Sequence, residues 1–114
     1  MADFSICLTN HNSIFPPQKV AAEAEERNFE GFFLPENSHV PLDRSRTRRK
    51  FDGFEKLAKF YDPFITLASC AAVTKKIKLG TSVCLLTQRD PEITAKAIAS
   101  LERISNHRCI IGVA

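Results

Sequence analysis

The stretch DPFITLASCAAVTKKIKLGTSVCLLTQRDPEITAKAIASLERISNHRCIIGV, residues 62–113, decides the fold. It opens on Asp62-Pro63, and the opening returns at Asp90-Pro91, so DPFIT at 62–66 is echoed by DPEIT at 90–94. An aspartate accepts the free amides of a helix start, and proline suits the first helical position because it has no amide to leave unpaired. Each pair therefore predicts a helix. Over Pro63–Lys75, the residues Phe64, Leu67, Ala68, Ala71 and Ala72 recur at helical spacing as one apolar stripe. Lys75 and Lys76 are expected at its last turn, where the helix dipole favours cations. Over Pro91–Ile104, the stripe expected inside is Ile93, Ala97, Leu101 and Ile104. Two short runs, Ile77–Leu86 and Arg108–Val113, are apolar on both faces, the pattern of central parallel strands.

Moving outward, Phe4–Leu8 and Gly31–Leu34 read as two further strands, and Pro17–Arg27 as a helix between them. Val20, Ala21 and Ala24 can face inward while Glu23, Glu25 and Glu26 stay in water. Asn28 follows, a residue that tolerates the left-handed position ending a helix. The order is βαβαβαβ, which implies an α/β fold with a parallel sheet. The stretch 35–60 is too long for an ordinary connection and holds a short helix near Gly53–Phe60.

The chain has 114 residues, 44% hydrophobic and 25% charged, an ordinary globular composition expected to form one domain. A complete (β/α)₈ barrel needs about 250 residues, so these elements make at most half of one. No apolar run reaches the roughly 18 residues of a membrane span. The start, Met1-Ala2-Asp3-Phe4, lacks the basic and apolar regions of a secretory leader, so a cytoplasmic location is expected. Cys7, Cys70, Cys84 and Cys109 form no close pair and lie in apolar stretches, which reads as reduced, buried thiols. Glycine-rich phosphate loops, a Gly-x-Ser-x-Gly elbow and metal-ligand spacings are all absent, so hydrolase and metalloenzyme readings have no motif to rest on.

In parallel α/β folds ligands bind beyond the carboxyl ends of the strands. That selects Thr9 to Asn12, including His11; Glu36, Asn37, Ser38 and His39; Thr81 and Ser82, then Thr87, Gln88 and Arg89; and the end at Gly112-Val113-Ala114. A carboxylate and an imidazole on one rim loop, Glu36 and His39, can move protons near neutral pH, or can be an ordinary solvated pair. His107 falls on the opposite rim, where residues serve stability. The basic run Arg44–Lys50 reads as a solvated loop or as a cationic lid over an anionic ligand. Net charge is only +3 and aromatics do not interleave the run, so no nucleic-acid partner is expected.

Residues 62–113 resemble the bacterial luciferase-like family of flavin-dependent oxidoreductases. The matching motifs are the Asp-Pro-Phe helix opening, Thr-x-x-Ile-x-Leu-Gly-Thr at 74–81, Arg-x-Pro at 89–91, Leu-x-x-x-Ser at 101–105, and Arg-x-x-x-Gly-Val at 108–113. Pro-Glu-Asn-Ser-His-Val-Pro at 35–41 resembles the branch that uses a deazaflavin instead of FMN. The resemblance implies the N-terminal half of a TIM-type (β/α)₈ barrel, with reduced deazaflavin (coenzyme F-420) or FMN at the strand carboxyl ends. It implies a bulge late in the third strand with a non-prolyl cis peptide, matched here by Ser82–Val83, which backs the flavin ring. Thr81 and Ser82 would lie beside the ring, Glu36 would be the rim acid, and His39 would match the branch's second histidine. Asn37 stands where histidine is usual and can still hydrogen-bond the ring, and Gln88 and Arg89 would sit near the barrel mouth. Catalysis is thus expected from Glu36 and His39, and cofactor contacts from Asn37, Thr81, Ser82, Val83 and Gln88. The usual Gly-Gly before the fourth strand is Asn106-His107, and Ala114 stands where a glycine-rich, phosphate-binding turn would start. Strands five to eight lie outside the stretch.

Three functions follow as expectations. One is part of an oxidoreductase or monooxygenase acting on a small organic substrate, with the 114 residues inactive by themselves. Another is a non-catalytic half-barrel whose open edges make it self-associate, binding flavin or serving as an assembly partner. The last is a degenerate product, molten or sticky because apolar strand faces stay uncovered.

Overall fold

The two Asp-Pro pairs open helices by the same geometry. In the computed structural model, which describes residues 3–9, 15–43 and 54–114, Asp62 accepts from the Ile65 amide at 3.0 Å and Asp90 from the Ile93 amide at 2.8 Å. The three helices are α1 (Pro17–Glu26), α2 (Pro63–Val73) and α3 (Pro91–Ile104), each with proline in its first turn. Four strands, β1 (Ser5–Cys7), β2 (Gly31–Leu34), β3 (Lys78–Cys84) and β4 (Cys109–Val113), pair in parallel in the order β1-β2-β3-β4. This is the expected βαβαβαβ succession.

The helices cover one face of the sheet. Phe32, Leu34 and Leu79 meet Ala21, Ala24, Phe64, Leu67, Cys70 and Leu101 there, all 5% exposed or less. Each large apolar side chain so buried stabilises the fold by about 1.5–3 kcal/mol. The other face is open: Ser5 and Cys7 are exposed and Ile110 keeps 44% of its surface. Cys70 and Cys84 are buried as expected, but Cys7 is not, because it alternates onto this uncovered face. Gly80 and Gly112 lie where the strands need them small. A side chain at Gly80 would run into the Ile110 carbonyl and the Phe33 ring, and one at Gly112 would come within 2.6 Å of the Thr81 carbonyl.

Several expected boundaries and faces move. The third strand has a bulge between Thr81 and Cys84, pairs again at Cys84, and stops there, not at Leu86, because Leu86–Gln88 close into a 3₁₀ turn. Within that bulge the Ser82–Val83 peptide is cis, as the resemblance implies. α2 ends at Val73 because Thr74 is extended and returns its hydroxyl to the Cys70 carbonyl at 2.8 Å. Lys75 and Lys76 therefore lie beyond the last turn, and Ala72 is exposed. Glu25 is not simply solvated: its carboxylate accepts from the amides of Lys75, Lys76 and Ile77 at 2.6–3.0 Å. On α3 and its C-terminal cap the inward row is Thr94, Ala97, Ile98, Leu101 and Ser105, so Ala97 and Leu101 face in as expected while Ile93 is 71% and Ile104 56% exposed. Thr94 can be buried because its hydroxyl donates to the Asp90 carbonyl at 2.6 Å, and hydropathy alone misses that. Phe54–Lys59 is a 3₁₀ segment. His11 and the basic run Arg44–Lys50 lie outside the described residues.

Asn28, Asn106 and His107 take positive φ of 61°, 56° and 60°, as their positions predict. Beside them, at the amino ends of the strands, Arg108 is 7% exposed. It donates to the carbonyls of Ala71, Thr74, Ile77 and Ser105 and to the Thr74 hydroxyl, at 2.5–3.2 Å.

Candidate functional site

The carboxyl ends of the strands gather a different chemistry. Just past β2, the Glu36 side chain is 6% exposed. One of its oxygens accepts from the Leu85 amide at 2.7 Å, and the other from Nε of Arg89 at 2.7 Å. Arg89 turns its Nη2 to Asp62 Oδ2, also at 2.7 Å, while Asp62 Oδ1 caps α2. A carboxylate–guanidinium–carboxylate relay thus joins the end of β2, the turn after β3 and the start of α2. The Phe64 ring supports it, 4.7 Å from the guanidinium carbon. Burial works against the Arg89 charge, but the hydrogen bonds and charges of Glu36 and Asp62 outweigh it and hold its pKa above the ordinary arginine value.

A second polar line runs along the same rim. Ser38 Oγ donates to Gln88 Oε1 at 2.6 Å and meets His39 Nδ1 at 2.7 Å. With the hydroxyl proton on Gln88, Nδ1 is the donor in its contact with Ser38. Ser38, His39 and Gln88 are all exposed. Asn37 sits between the two lines but works on the main chain, donating to the carbonyls of Leu57 at 3.0 Å and His39 at 3.2 Å. It tethers the rim loop to the 3₁₀ segment.

Below the rim, on the open sheet face, an open cavity of about 340 Å³ is lined by Cys7, Phe33, Thr81, Ser82, Val83 and Ile110, among others. Thr81 is 1% exposed and its hydroxyl donates to the Gly112 carbonyl at 2.9 Å, which leaves Ser82 as the exposed polar group of the bulge. The Ser82 hydroxyl neighbours the Cys7 thiol, whose pKa burial pushes up and Ser82 partly lowers.

The expected site residues therefore fall into three places: Thr81, Ser82 and Val83 at the cavity, His39 and Gln88 joined through Ser38, and Glu36 held by Arg89 and Leu85. Among the described residues no direct bond links Glu36 to His39. The sequence reading missed Arg89 as the partner of Glu36, the double duty of Asp62, and Ser38 as the link. One signal was available: a buried carboxylate needs a cation, and Arg89 stands on the same rim. Among the described residues no cluster of His, Cys, Asp and Glu could hold a metal ion, and no helix is long and apolar enough to cross a membrane.

With this geometry in place, comparison with known proteins is direct. An uncharacterized protein of Mycobacterium tuberculosis is 33% identical over 96% of the chain, which spans 40% of that relative's length. The coenzyme F-420 dependent tetrahydromethanopterin reductase of Methanopyrus kandleri superimposes with a TM-score of 0.71 at 29% identity, over 97% of this chain and 26% of that one. The FMN-bound oxygenating constituent of 3,6-diketocamphane monooxygenase from Pseudomonas putida shares the fold, with a TM-score of 0.72 at 16% identity over 98% and 29% of the two chains. Residues 4–114 match the family described as luciferase-like monooxygenase, and the chain belongs to it.

Proposed function

We propose that this chain is the cofactor-bearing first half of an oxidoreductase or monooxygenase barrel, using reduced deazaflavin (coenzyme F-420) or FMN to transfer hydride or oxygen to a small organic substrate. The observation that carries the reading is the cavity on the uncovered sheet face, with Ser82 and Val83 in its wall and the His39–Ser38–Gln88 line on the same rim. The residues fit a flat ring system: Phe33, Val83 and Ile110 offer apolar contact, Ser82 and Cys7 a polar edge, and a side chain at Gly80 would collide with the cavity-lining Phe33 and Ile110. The reduced ring supplies the hydride, or the electrons that activate oxygen. The chain supplies the rest. Ser82, in the cavity wall, would offer its hydroxyl to a bound ring. His39, its Nδ1 hydrogen-bonded to Ser38, is placed to pass a proton through Nε2. Asn37 keeps the loop carrying His39 in place.

The 29% identity to the reductase named for coenzyme F-420, against 16% for the FMN protein, favours the deazaflavin. The test is fluorescence titration of the protein expressed from its complete reading frame with FMN and with F-420. Saturable binding, tighter for F-420, is expected; binding of neither overturns the reading.

A further inference from the structure

We infer that Glu36 and Arg89 are positioning residues: the Asp62–Arg89–Glu36 relay is a strut that holds the bulge of β3, and with it the cavity wall, at a fixed distance from α2. Its link to the cofactor site rests on the flavin reading above; the strut itself does not. A general acid or base needs an oxygen that reaches the reacting proton. Both Glu36 oxygens are engaged, one by the Leu85 amide and the other by Arg89, and the side chain is 6% exposed, which leaves little access for a reacting proton.

What the carboxylate grips is informative. Leu85 follows Ser82, Val83 and Cys84 directly, so its amide is the first main-chain donor after the bulge. Ladder pairing with β4 is interrupted between Thr81 and Cys84, so the sheet alone does not fix Ser82 and Val83. The Glu36 carboxylate replaces the missing restraint from the β2 side. It is immobile because Arg89 holds it, and Arg89 is fixed because Asp62 is locked to the helix start by Ile65 at 3.0 Å. The fork of the guanidinium suits this, as it engages two carboxylates in defined directions. On this assignment proton transfer falls to His39.

The experiment combines amide hydrogen exchange with FMN and F-420 titration on the complete protein, for Arg89→Met, Arg89→Lys, Glu36→Gln and the double variant Glu36→Gln/Arg89→Met. In Arg89→Met, exchange at Leu85 is expected to rise about tenfold or more while the amides of α3 keep their protection. Cofactor affinity, measured well below the unfolding temperature, is expected to weaken by about ten- to a hundredfold, the scale of a displaced contact surface. Arg89→Lys, which keeps the charge and loses the fork, recovers part of both effects and guards against a variant that fails to fold. The double variant is no worse than Arg89→Met alone, because the two residues act as one device. Wild-type protection at Leu85 in Arg89→Met, or acceleration spread evenly over all amides, overturns the inference. If the wild type binds neither cofactor, the flavin reading falls, and exchange at Leu85 still decides the strut.

Discussion

Two arginines are drawn out of water at opposite ends of one sheet, and they are satisfied by opposite means. Arg108, at the amino ends of the strands, hydrogen-bonds among the described residues only to neutral acceptors, four main-chain carbonyls and one threonine hydroxyl, with the Glu25 charge acting on it without a direct bond. Those of Ala71 and Thr74 belong to the end of α2, where the helix leaves carbonyls unpaired and its dipole is negative. Arg89, at the carboxyl ends, sits between two carboxylates and keeps 19% of its side-chain surface. A guanidinium bound to backbone is as fixed as the fold itself. A guanidinium bound to side chains is fixed only through them, and its setting can be tuned by single substitutions. The amino end thus behaves as foundation and the carboxyl end as adjustable machinery, the division expected of parallel barrels.

The largest expected effect breaks the foundation. Arg108→Met leaves buried carbonyls without donors, and each such loss costs about 1–3 kcal/mol, so a destabilisation of roughly 3 kcal/mol or more is expected. A denaturant titration measures it. Arg89→Met should cost less, about 2 kcal/mol, since Asp62 keeps 35% of its side-chain surface and can rehydrate while Glu36 retains the Leu85 amide. Equal losses would erase the contrast between the two ends.

The echoed helix starts give a matched pair. Asp90→Ala removes a cap alone, worth about 1 kcal/mol. Asp62→Ala removes the same cap and also the carboxylate facing Arg89, so about 2 kcal/mol is expected. Thermal unfolding of the two variants side by side reads the difference. Its absence would mean that Asp62 serves only its helix.

This pair also shows what could be read in advance. Both caps, all four strands and their parallel order were legible, because caps, prolines and apolar periodicity are local signals. The left-handed position at 28 was legible for the same reason, and those at 106 and 107 through the Gly-Gly that the resemblance puts there. The relay was not. Glu36 and Arg89 lie 53 residues apart, and nothing local says that one rim carboxylate meets that particular cation. Glu25 was misjudged likewise, since its three amide partners lie about 50 positions on. The buried face of α3 was shifted because Thr94 and Ser105 hide their hydroxyls on their own helix, so polarity by sequence misstates their cost inside.

Glu25 supplies a pH test of the foundation. Burial works to raise its pKa, but the amides of Ile77, Lys76 and Lys75, helped by the Arg108 charge, bring it below the ordinary 4.5. A carboxylate depressed in the folded state stabilises fully above its unfolded pKa and loses that contribution as pH falls through the folded one. Stability should therefore decline below about pH 4.5, and Glu25→Gln should flatten that limb while leaving the profile near neutrality unchanged in shape. An acid limb identical in the variant would assign it to other carboxylates.

The smallest expected effect lies in the turn leading to Arg108. His107 holds φ 60°, a conformation costing a residue with a Cβ about 1–2 kcal/mol. Glycine relieves that cost, yet gives back about 0.5–1 kcal/mol through a freer unfolded chain. It also gives up the exposed contact of His107 Nδ1 with Glu102 at 3.3 Å, which contributes little. The net expectation for His107→Gly is a gain of a few tenths of a kcal/mol in denaturant midpoint measurements. A clear loss would carry a specific meaning. Glu102 also accepts from the Cys109 amide at 3.2 Å, so the histidine would then be holding that carboxylate against the first residue of β4. The foundation would in that case rest partly on side chains, and its difference from the carboxyl rim would be one of degree.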